Sequence, residues 1–260
     1  MPYKKQKTFK KIISVFMLVV LLGVLLCVPT SAKSATFKTY KVANNKDYLE
    51  LVDYDYSSDV KKGKAQKLSY FNDAVFLGDS RAVDLAIYSS LSKTKALPYC
   101  DVGLNVSTVF TKNFVSYDGV KVDAFNAMKR NKSKFSKVYL MFGINELGYD
   151  SAESFIKQYV KVVNKVRSIN KNAAIYVHSI LPVSKQKAMS SNVYTNQKIQ
   201  KFNKYIKAMC KKHKLFYIDA YEEFSNNEGY LPYGAASDGV HFNSEYSEKW
   251  LTFIGTHTVN

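Results

Sequence analysis

The sequence predicts an α/β fold in which helices cover both faces of a five-stranded parallel sheet. From Asp73 onwards, compact apolar runs alternate with longer amphipathic segments, a pattern typical of parallel strands joined by crossover helices. The chain has 260 residues and is 47% hydrophobic, which is enough for one sizeable domain with its own core. We therefore expect a three-layer α/β/α sandwich with right-handed crossovers.

Five apolar runs are the candidate strands. They cover residues 74–77, 96–102, 138–142, 173–180 and 215–218. Five amphipathic segments are the candidate helices, and they cover residues 81–91, 122–128, 154–169, 193–213 and 245–254. The clearest helix is 154–169, because its apolar side chains, Phe155, Tyr159 and Val163 among them, share one face.

The first 32 residues are predicted to be a signal peptide. Five lysines in the first eleven residues precede an apolar run over residues 12–28, and a proline with small residues follows. We expect cleavage after Ala32, with Ala35 as the alternative, and therefore a secreted or cell-surface protein. The apolar run is just short of the roughly 18–20 residues that span a bilayer, so an uncleaved membrane anchor is the alternative fate.

Residues 33–72 are predicted to be a polar tether and N-terminal extension, whose last part packs on the domain formed by residues 73–260. The segment is rich in lysine and tyrosine and has no sustained periodicity. Cys100 and Cys210 lie far apart in the sequence and have no spacing signature. They are predicted to be unpaired, although an exported protein could join them in a disulfide.

The chain is strongly basic, with a formal charge of +17. Without the five N-terminal lysines the charge is +12, that is, 17 less 5. Such a balance favours contact with anionic surfaces, and an anionic cell-wall polymer is the expected partner of this kind. The lysines are dispersed, and the sequence has no zinc-finger spacing or RNA-binding aromatic motif, so nucleic acid is not an expected partner.

Four short polar stretches fall where strands should end, or in loops that reach those ends. Ligands bind beyond the carboxyl ends of parallel strands, so these stretches form the candidate site. Ser80 comes directly after the first apolar run, and Gly103 follows the second, where a glycine lets a backbone N–H approach a bound oxygen. The four stretches cover residues 78–80, 101–105, 142–147 and 237–242.

The residue types in these stretches suit catalysis by a nucleophilic serine. A serine hydroxyl is a poor nucleophile until a base takes its proton, and a carboxylate can fix the tautomer of a histidine that acts as that base. Ser80, His241 and Asp238 are the candidates for the three roles. Asp219 competes with Asp238 as the orienting acid, but the three-residue spacing to His241 favours Asp238.

The tetrahedral intermediate of such a reaction needs hydrogen-bond donors for its oxyanion. The backbone N–H groups of Ser80 and Gly103 and the side-chain amide of Asn145 are the candidate donors. Losing one donor of this kind typically costs about 2.7–4 kcal/mol of transition-state stabilisation.

In this order, the four stretches resemble those of the Gly-Asp-Ser-Leu esterases and lipases, the SGNH hydrolases. The serine, glycine, asparagine and histidine of that name match Ser80, Gly103, Asn145 and His241. The family's Asp-x-x-His pair matches Asp238 and His241, and the resemblance spans roughly residues 73–256. It implies a flavodoxin-like α/β/α sandwich with a five-stranded parallel sheet, and ester hydrolysis through Ser80.

Two residues depart from the family's pattern. Arg81 stands where the family name has leucine, and Glu146 stands where the third stretch usually has aspartate. Arg81 could attract an anionic substrate or pair with Asp79 or Glu146, and the pairing is the favoured interpretation. Asp79 is expected to brace the loop rather than act as a base. The candidate substrate-binding residues are Arg81, Glu146, His178, Tyr194 and Tyr233, and flat tyrosine rings suit sugar faces.

The sequence thus predicts an exported serine esterase that acts through an acyl-enzyme intermediate on an acylated carbohydrate, with O-acetyl groups of wall or extracellular polysaccharide preferred. A lipase or lysophospholipase is one alternative, although neither 111–120 nor 183–197 resembles an apolar lid. An acyltransferase would use the same triad. A non-catalytic module that binds anionic wall polymer would not need it. No histidine and carboxylate set has metal-ligand spacing, so no metal and no other cofactor is predicted.

Overall fold

The five predicted strands form one parallel sheet in the computed structural model, which describes residues 35–37 and 39–259. The predicted signal peptide, residues 1–32, lies outside the described residues. The strands of the described chain are β1 Ala74–Gly78, β2 Leu97–Cys100, β3 Val115–Tyr117, β4 Val120–Val122, β5 Lys137–Met141, β6 Ala174–His178 and β7 Phe216–Ile218. The sheet order is β2-β1-β5-β6-β7, and β3 and β4 form a separate antiparallel hairpin.

The order of the strands places a topological switch point next to β1. The chain adds β2 on one side of β1 and then continues with β5 on the other side. Gly78, the last residue of β1, is in register with Cys100 of β2 and Met141 of β5, so the three strands end level. In open parallel sheets the ligand site lies at this position, beyond the carboxyl ends of the strands.

Helices cover both faces of the sheet, as predicted. They are α1 Ser80–Tyr88, α2 Ala124–Arg130, α3 Ala152–Ile169, α4 Lys185–Met189, α5 Asn196–His213, α6 Ala220–Glu223 and α7 Ser244–Thr256. Short 3-10 helices cover Leu68–Asp73, Ser90–Lys93, Thr108–Phe110, Lys132–Lys134 and Asn145–Gly148. The apolar sides of α2, α3 and α5 form the core on one face, and those of α1 and α7 form the core on the other.

The chain before residue 73 differs from the predicted tether. Leu51, Tyr56 and Val60 are buried in the α1 and α7 layer, and the amide of Val60 donates to the Tyr217 carbonyl of β7 at 2.8 Å. The rings of Phe37, Tyr54 and Tyr56 pack on Phe216 of the same strand. These aromatic residues cover the outer edge of the sheet, in a segment whose lack of sequence periodicity had predicted a tether.

Several element boundaries also differ from the prediction, and side chains explain them. The predicted helix over 122–128 begins at Ala124 because Asp123 caps it, accepting from the amides of Phe125 and Asn126. The hairpin of β3 and β4, which was not predicted, turns at Asp118 and Gly119, both with positive φ. The Asp-Gly pair is a common hairpin signal and was present in the sequence.

Cys100 and Cys210 are not joined to each other in the structure. Within the part of the chain that the structure describes, no helix is long and apolar enough to cross a membrane.

Candidate active site

The start of α1 holds Ser80 at the carboxyl edge of the sheet. Asp79 caps the helix by accepting from the Arg81 amide at 3.0 Å, so it braces the turn as predicted. A Cβ on Gly78 would lie 2.5 Å from the Met141 carbonyl oxygen, so only glycine fits between β1 and β5. The tight exit from β1 therefore delivers the Ser80 hydroxyl to the surface of the sheet edge.

The structure brings the three predicted triad residues together in one hydrogen-bonded chain. The Ser80 Oγ lies 2.8 Å from His241 Nε2, and His241 Nδ1 lies 2.5 Å from Asp238 Oδ2. This is the order that base activation of a serine requires, with the carboxylate on one ring nitrogen and the hydroxyl on the other. Residues 161 positions apart in the sequence thus share one site.

The loop that carries Asp238 and His241 fixes the carboxylate in its ionised form. Asp238 Oδ1 accepts from the backbone amides of Val240 and His241, at 2.9 and 2.8 Å. Burial alone would raise the pKa of Asp238, but these amides and the imidazole lower it to about 2. A Cβ on Gly239, whose φ is +77°, would meet Ser184 Oγ at 2.3 Å, so this residue must be small. The ionised carboxylate can therefore hold the histidine tautomer that leaves Nε2 as the acceptor.

The second and third predicted stretches lie side by side. Gly103 is in the left-handed region, with φ +71°, in the turn after β2. The Asn145 side chain donates to the Leu104 carbonyl at 2.9 Å, and Glu146 Oε1 accepts from the Val106 amide at 2.7 Å. Asn145 and Glu146 therefore clamp the loop that presents Gly103. The roles of Ser80, Gly103 and Asn145 as oxyanion donors remain predictions.

Three of the five predicted substrate-binding residues are buried, so that part of the prediction is corrected. Arg81 is 5% exposed, Glu146 is 0% exposed and His178 is 1% exposed. Each is almost entirely covered by protein and offers a substrate little surface. Burial raises the pKa of Glu146 to about 8 and lowers that of His178 to about 3, so both are largely neutral near pH 7.

Arg81 joins α1 to the loop after β6. Its guanidinium donates to the carbonyls of Leu181 at 2.8 Å and Pro182 at 3.1 Å. Burial lowers its pKa to about 10, which still leaves it charged at neutral pH. The predicted pairing of this side chain with Asp79 or Glu146 is wrong, because within the described residues the guanidinium forms no salt bridge and binds these carbonyls instead. Nothing in the sequence signalled the two carbonyl partners, because they lie about a hundred residues away.

A small cavity lies between the start of α1, the loop after β6 and α7. Its volume is about 20 Å³, and its lining includes Asp79, Arg81, His178 and Trp250. A space of this size holds one water molecule and excludes a substrate. Ser80 is not among its lining residues, so this cavity is separate from the exposed triad.

The two predicted tyrosines are at the surface. Tyr233 is fully exposed and precedes Gly234, whose carbonyl accepts from the side chain of Asn243 in the segment that follows His241. Tyr194 is partly buried, and the Lys187 ammonium lies 5.0 Å from the centre of its ring. Their contact with a substrate stays a prediction.

The described residues contain no group of three or more histidine, cysteine, aspartate or glutamate side chains that could hold a metal ion. The chemistry expected of the Ser80, His241 and Asp238 side chains does not require a metal ion. The absence of a cofactor stays an expectation from the sequence.

A comparison with curated protein sequences finds no match. Among solved structures, a GDSL-like lipase from Bacteroides thetaiotaomicron is similar, with 15% identity, a TM-score of 0.52, and coverage of 75% of this chain and 89% of that one. An acetyl xylan esterase, AlAXEase, has 15% identity, a TM-score of 0.52, and coverage of 70% of this chain and 96% of that one. At these identities the likeness concerns the fold.

The model of the GDSL-like lipase/acylhydrolase family matches residues 97–248, more than half of the chain. The match begins after Ser80 and includes Gly103, Asn145, Asp238 and His241. Together with the five-stranded parallel sheet, this match shows that the chain belongs to the GDSL-like lipase/acylhydrolase family and is an ester-hydrolysing enzyme.

Proposed function

We propose that this protein is an exported serine esterase that removes small acyl groups, chiefly O-acetyl groups, from cell-wall or extracellular polysaccharide. His241 takes the proton of the Ser80 hydroxyl while Ser80 Oγ attacks the ester carbonyl. The sugar alcohol leaves with that proton, and the acyl group stays on Ser80. Water activated by the same histidine then releases the acid.

The observation that carries the proposal is the hydrogen-bonded chain Ser80–His241–Asp238 at an open sheet edge. The side chains of His241 and Asp238 are 40% and 51% exposed. An ester on a bulky polymer can reach such a site from solvent. A long acyl chain needs an apolar channel, and the small cavity beside Arg81, which Ser80 does not line, does not supply one.

Three further points support the substrate class and the compartment. An acetyl xylan esterase shares this fold. The fully exposed ring of Tyr233 lies near the triad loop and offers a flat surface for a sugar. The lysine-rich, apolar N-terminal segment supports export.

The proposal is tested by hydrolysis of p-nitrophenyl acetate, butyrate and octanoate by the purified protein. We expect turnover that falls steeply beyond acetate, and a loss of about 10⁴-fold or more in Ser80→Ala. Ser168→Ala, the same change on the exposed side of α3, should retain wild-type turnover.

Other outcomes would contradict the proposal. Preference for octanoate would indicate a lipase. An absence of turnover that is restored when a sugar alcohol is supplied as acceptor would indicate an acyltransferase.

A further inference from the structure

The helices on the two faces of the sheet carry very different charges. Helices α2, α3 and α5 together contain twelve lysine and arginine residues and a single acidic residue, Glu153. Helices α1 and α7 contain two basic and three acidic residues. The positive charge of the domain is therefore concentrated on one helical layer, although the lysines look dispersed in the sequence.

Six lysines of this layer point outwards in two rows on neighbouring helices. The helices α3 and α5 pack against each other and bury their apolar sides in the same core. The exposed lysines recur at helical spacing opposite those apolar sides. We name this surface the lysine face, and it consists of Lys157, Lys161, Lys201, Lys204, Lys211 and Lys212. At 1.5 Å per residue, the row on α5 extends over about 16 Å.

The protein compensates these six charges only weakly, because Asp55 interacts electrostatically with Lys211 and Glu153 with Lys201, but each interaction is small. In the described part of the chain, none of the six forms a salt bridge, whereas Lys207, also on α5, pairs with Asp59 at 2.6 Å. The acidic residue of the layer, Glu153, accepts from the Tyr205 hydroxyl at 2.5 Å. A row of unpaired like charges attracts a polyanion and releases its counterions on contact.

The chemistry of the lysine face favours a flexible polyanion over a membrane. Lysine ammonium groups act as point charges and impose no fixed geometry on their partner, unlike the fork of arginine. The large hydrophobic residues exposed in the described chain all lie outside α3 and α5. An amphipathic helix that binds a bilayer inserts its apolar side, and here those sides are in the core.

We propose that the lysine face docks a flexible linear polyanion and so holds the enzyme on an anionic polymer of its surroundings. The helices run antiparallel to the strands, so Ala152 and Asn196, the first residues of α3 and α5, lie toward the carboxyl edge that carries Ser80. Lys157 and Lys201 are therefore nearest to that edge. A docked polymer raises the concentration of esters around the site without occupying it.

Binding of long-chain inorganic polyphosphate to the purified protein tests the proposal. The test variant reverses four charges of the lysine face, Lys157, Lys161, Lys201 and Lys204, each to Glu. The matched control reverses Lys61, Lys62, Lys64 and Lys67, which are exposed in the segment hydrogen-bonded to the end of α7. We expect the test variant to lose at least about tenfold in affinity, and the control less than about threefold, with binding that weakens as salt rises.

Equal losses in the two variants would overturn the proposal, because total charge and not the lysine face would then set the affinity. Tighter binding of the wild type to phosphatidylglycerol vesicles than to polyphosphate of equal charge would also overturn it, in favour of a membrane surface. Both variants should retain p-nitrophenyl acetate turnover, and a test variant that fails to fold is replaced by the same four changes to Gln.

Discussion

At the scale of single residues, Asp238 decides which nitrogen of His241 can accept a proton. Its carboxylate contacts Nδ1 and is kept ionised by two backbone amides and the imidazole. In Asp238→Asn, the side-chain oxygen can still accept from the backbone amides of Val240 and His241. The side-chain NH₂ group, however, can donate to His241 Nδ1 and so stabilise the tautomer that carries its proton on Nε2. We expect turnover to fall by roughly 10⁴-fold, as in other Ser-His-Asp sites, with little change in melting temperature.

The neighbouring carboxylate Asp219 is the control for this variant. Asp219 caps α6 by accepting from the Tyr221 amide at 3.2 Å, and the structure pairs His241 with Asp238 instead. Asp219→Asn should therefore retain most of the activity in the same assay. If the two variants lost activity equally, Asp238 would not be the orienting acid.

Glu146 gives a prediction about stability and pH. Burial raises its pKa from 4.5 to about 8 in the folded protein. Below pH 4.5 the carboxyl is protonated in both the folded and the unfolded chain. Between pH 4.5 and about 8 only the unfolded chain gives up the proton, so the free energy of unfolding falls as pH rises through this window.

Glu146→Gln removes that titration and keeps an oxygen for the Val106 amide. Relative to the wild type, the variant should gain melting temperature from about pH 5 to about pH 9, by roughly 3 °C or more. Glu153→Gln, at an exposed site, is the control and should not gain. If the melting temperatures of the wild type and Glu146→Gln changed with pH in the same way, the argument from the burial of Glu146 would be contradicted.

The catalytic candidates could be found from the sequence because turn chemistry ties them to strand ends. Gly-Asp-Ser after an apolar run and Asp-x-x-His in a glycine-containing loop are local patterns. The roles assigned to Arg81, Glu146 and His178 as substrate contacts were wrong, because burial depends on contacts far away in the chain. Leu181 and Pro182, the partners of Arg81, illustrate this.

At the scale of elements, the loop after β6 is held from two sides. Asn203 of α5 binds both the amide and the carbonyl of Ile180, and Asn196 does the same for Val183. Arg81 at the start of α1 holds the carbonyls between them. Two helices on opposite faces of the sheet are thus tied through one loop.

Arg81→Leu, which introduces the residue of the family name, should weaken this tie. Two buried carbonyls lose a charged donor, so we expect a loss of roughly 2–4 kcal/mol in the free energy of unfolding, measured with urea at neutral pH. Lys129→Leu at an exposed position of α2 is the control, with an expected change within about 0.5 kcal/mol. Equal stability of Arg81→Leu and the wild type would show that the two hydrogen bonds contribute nothing.

Strands and long helices were predictable because their apolar patterns are strong and continuous. All five predicted strands exist, with ends shifted by at most two residues. β6 stops at His178 instead of continuing to Ile180, because the Asn203 side chain takes over the backbone groups of Ile180. A side chain that binds these backbone groups in place of a neighbouring strand leaves no signal in the local sequence.

At the scale of the whole molecule, the sequence predicted one α/β/α domain, but it placed the N-terminal boundary of that domain at residue 73, too far along the chain. Residues 40–72 belong to the same compact unit as the sheet, with Leu51, Tyr56 and Val60 in its core. The uneven charge of the two helical layers could not be predicted from the sequence either, because it depends on which helices lie on the same face of the sheet.

The central claim is that Ser80 is the nucleophile of this family member and is activated by His241. The most direct measurement is labelling with a fluorophosphonate, followed by mass spectrometry of the digested protein. We predict a single adduct on the peptide that contains Ser80, and its loss in His241→Ala, because an unactivated serine reacts slowly. An adduct on another residue, or labelling that is undiminished in Ser80→Ala, would contradict the claim.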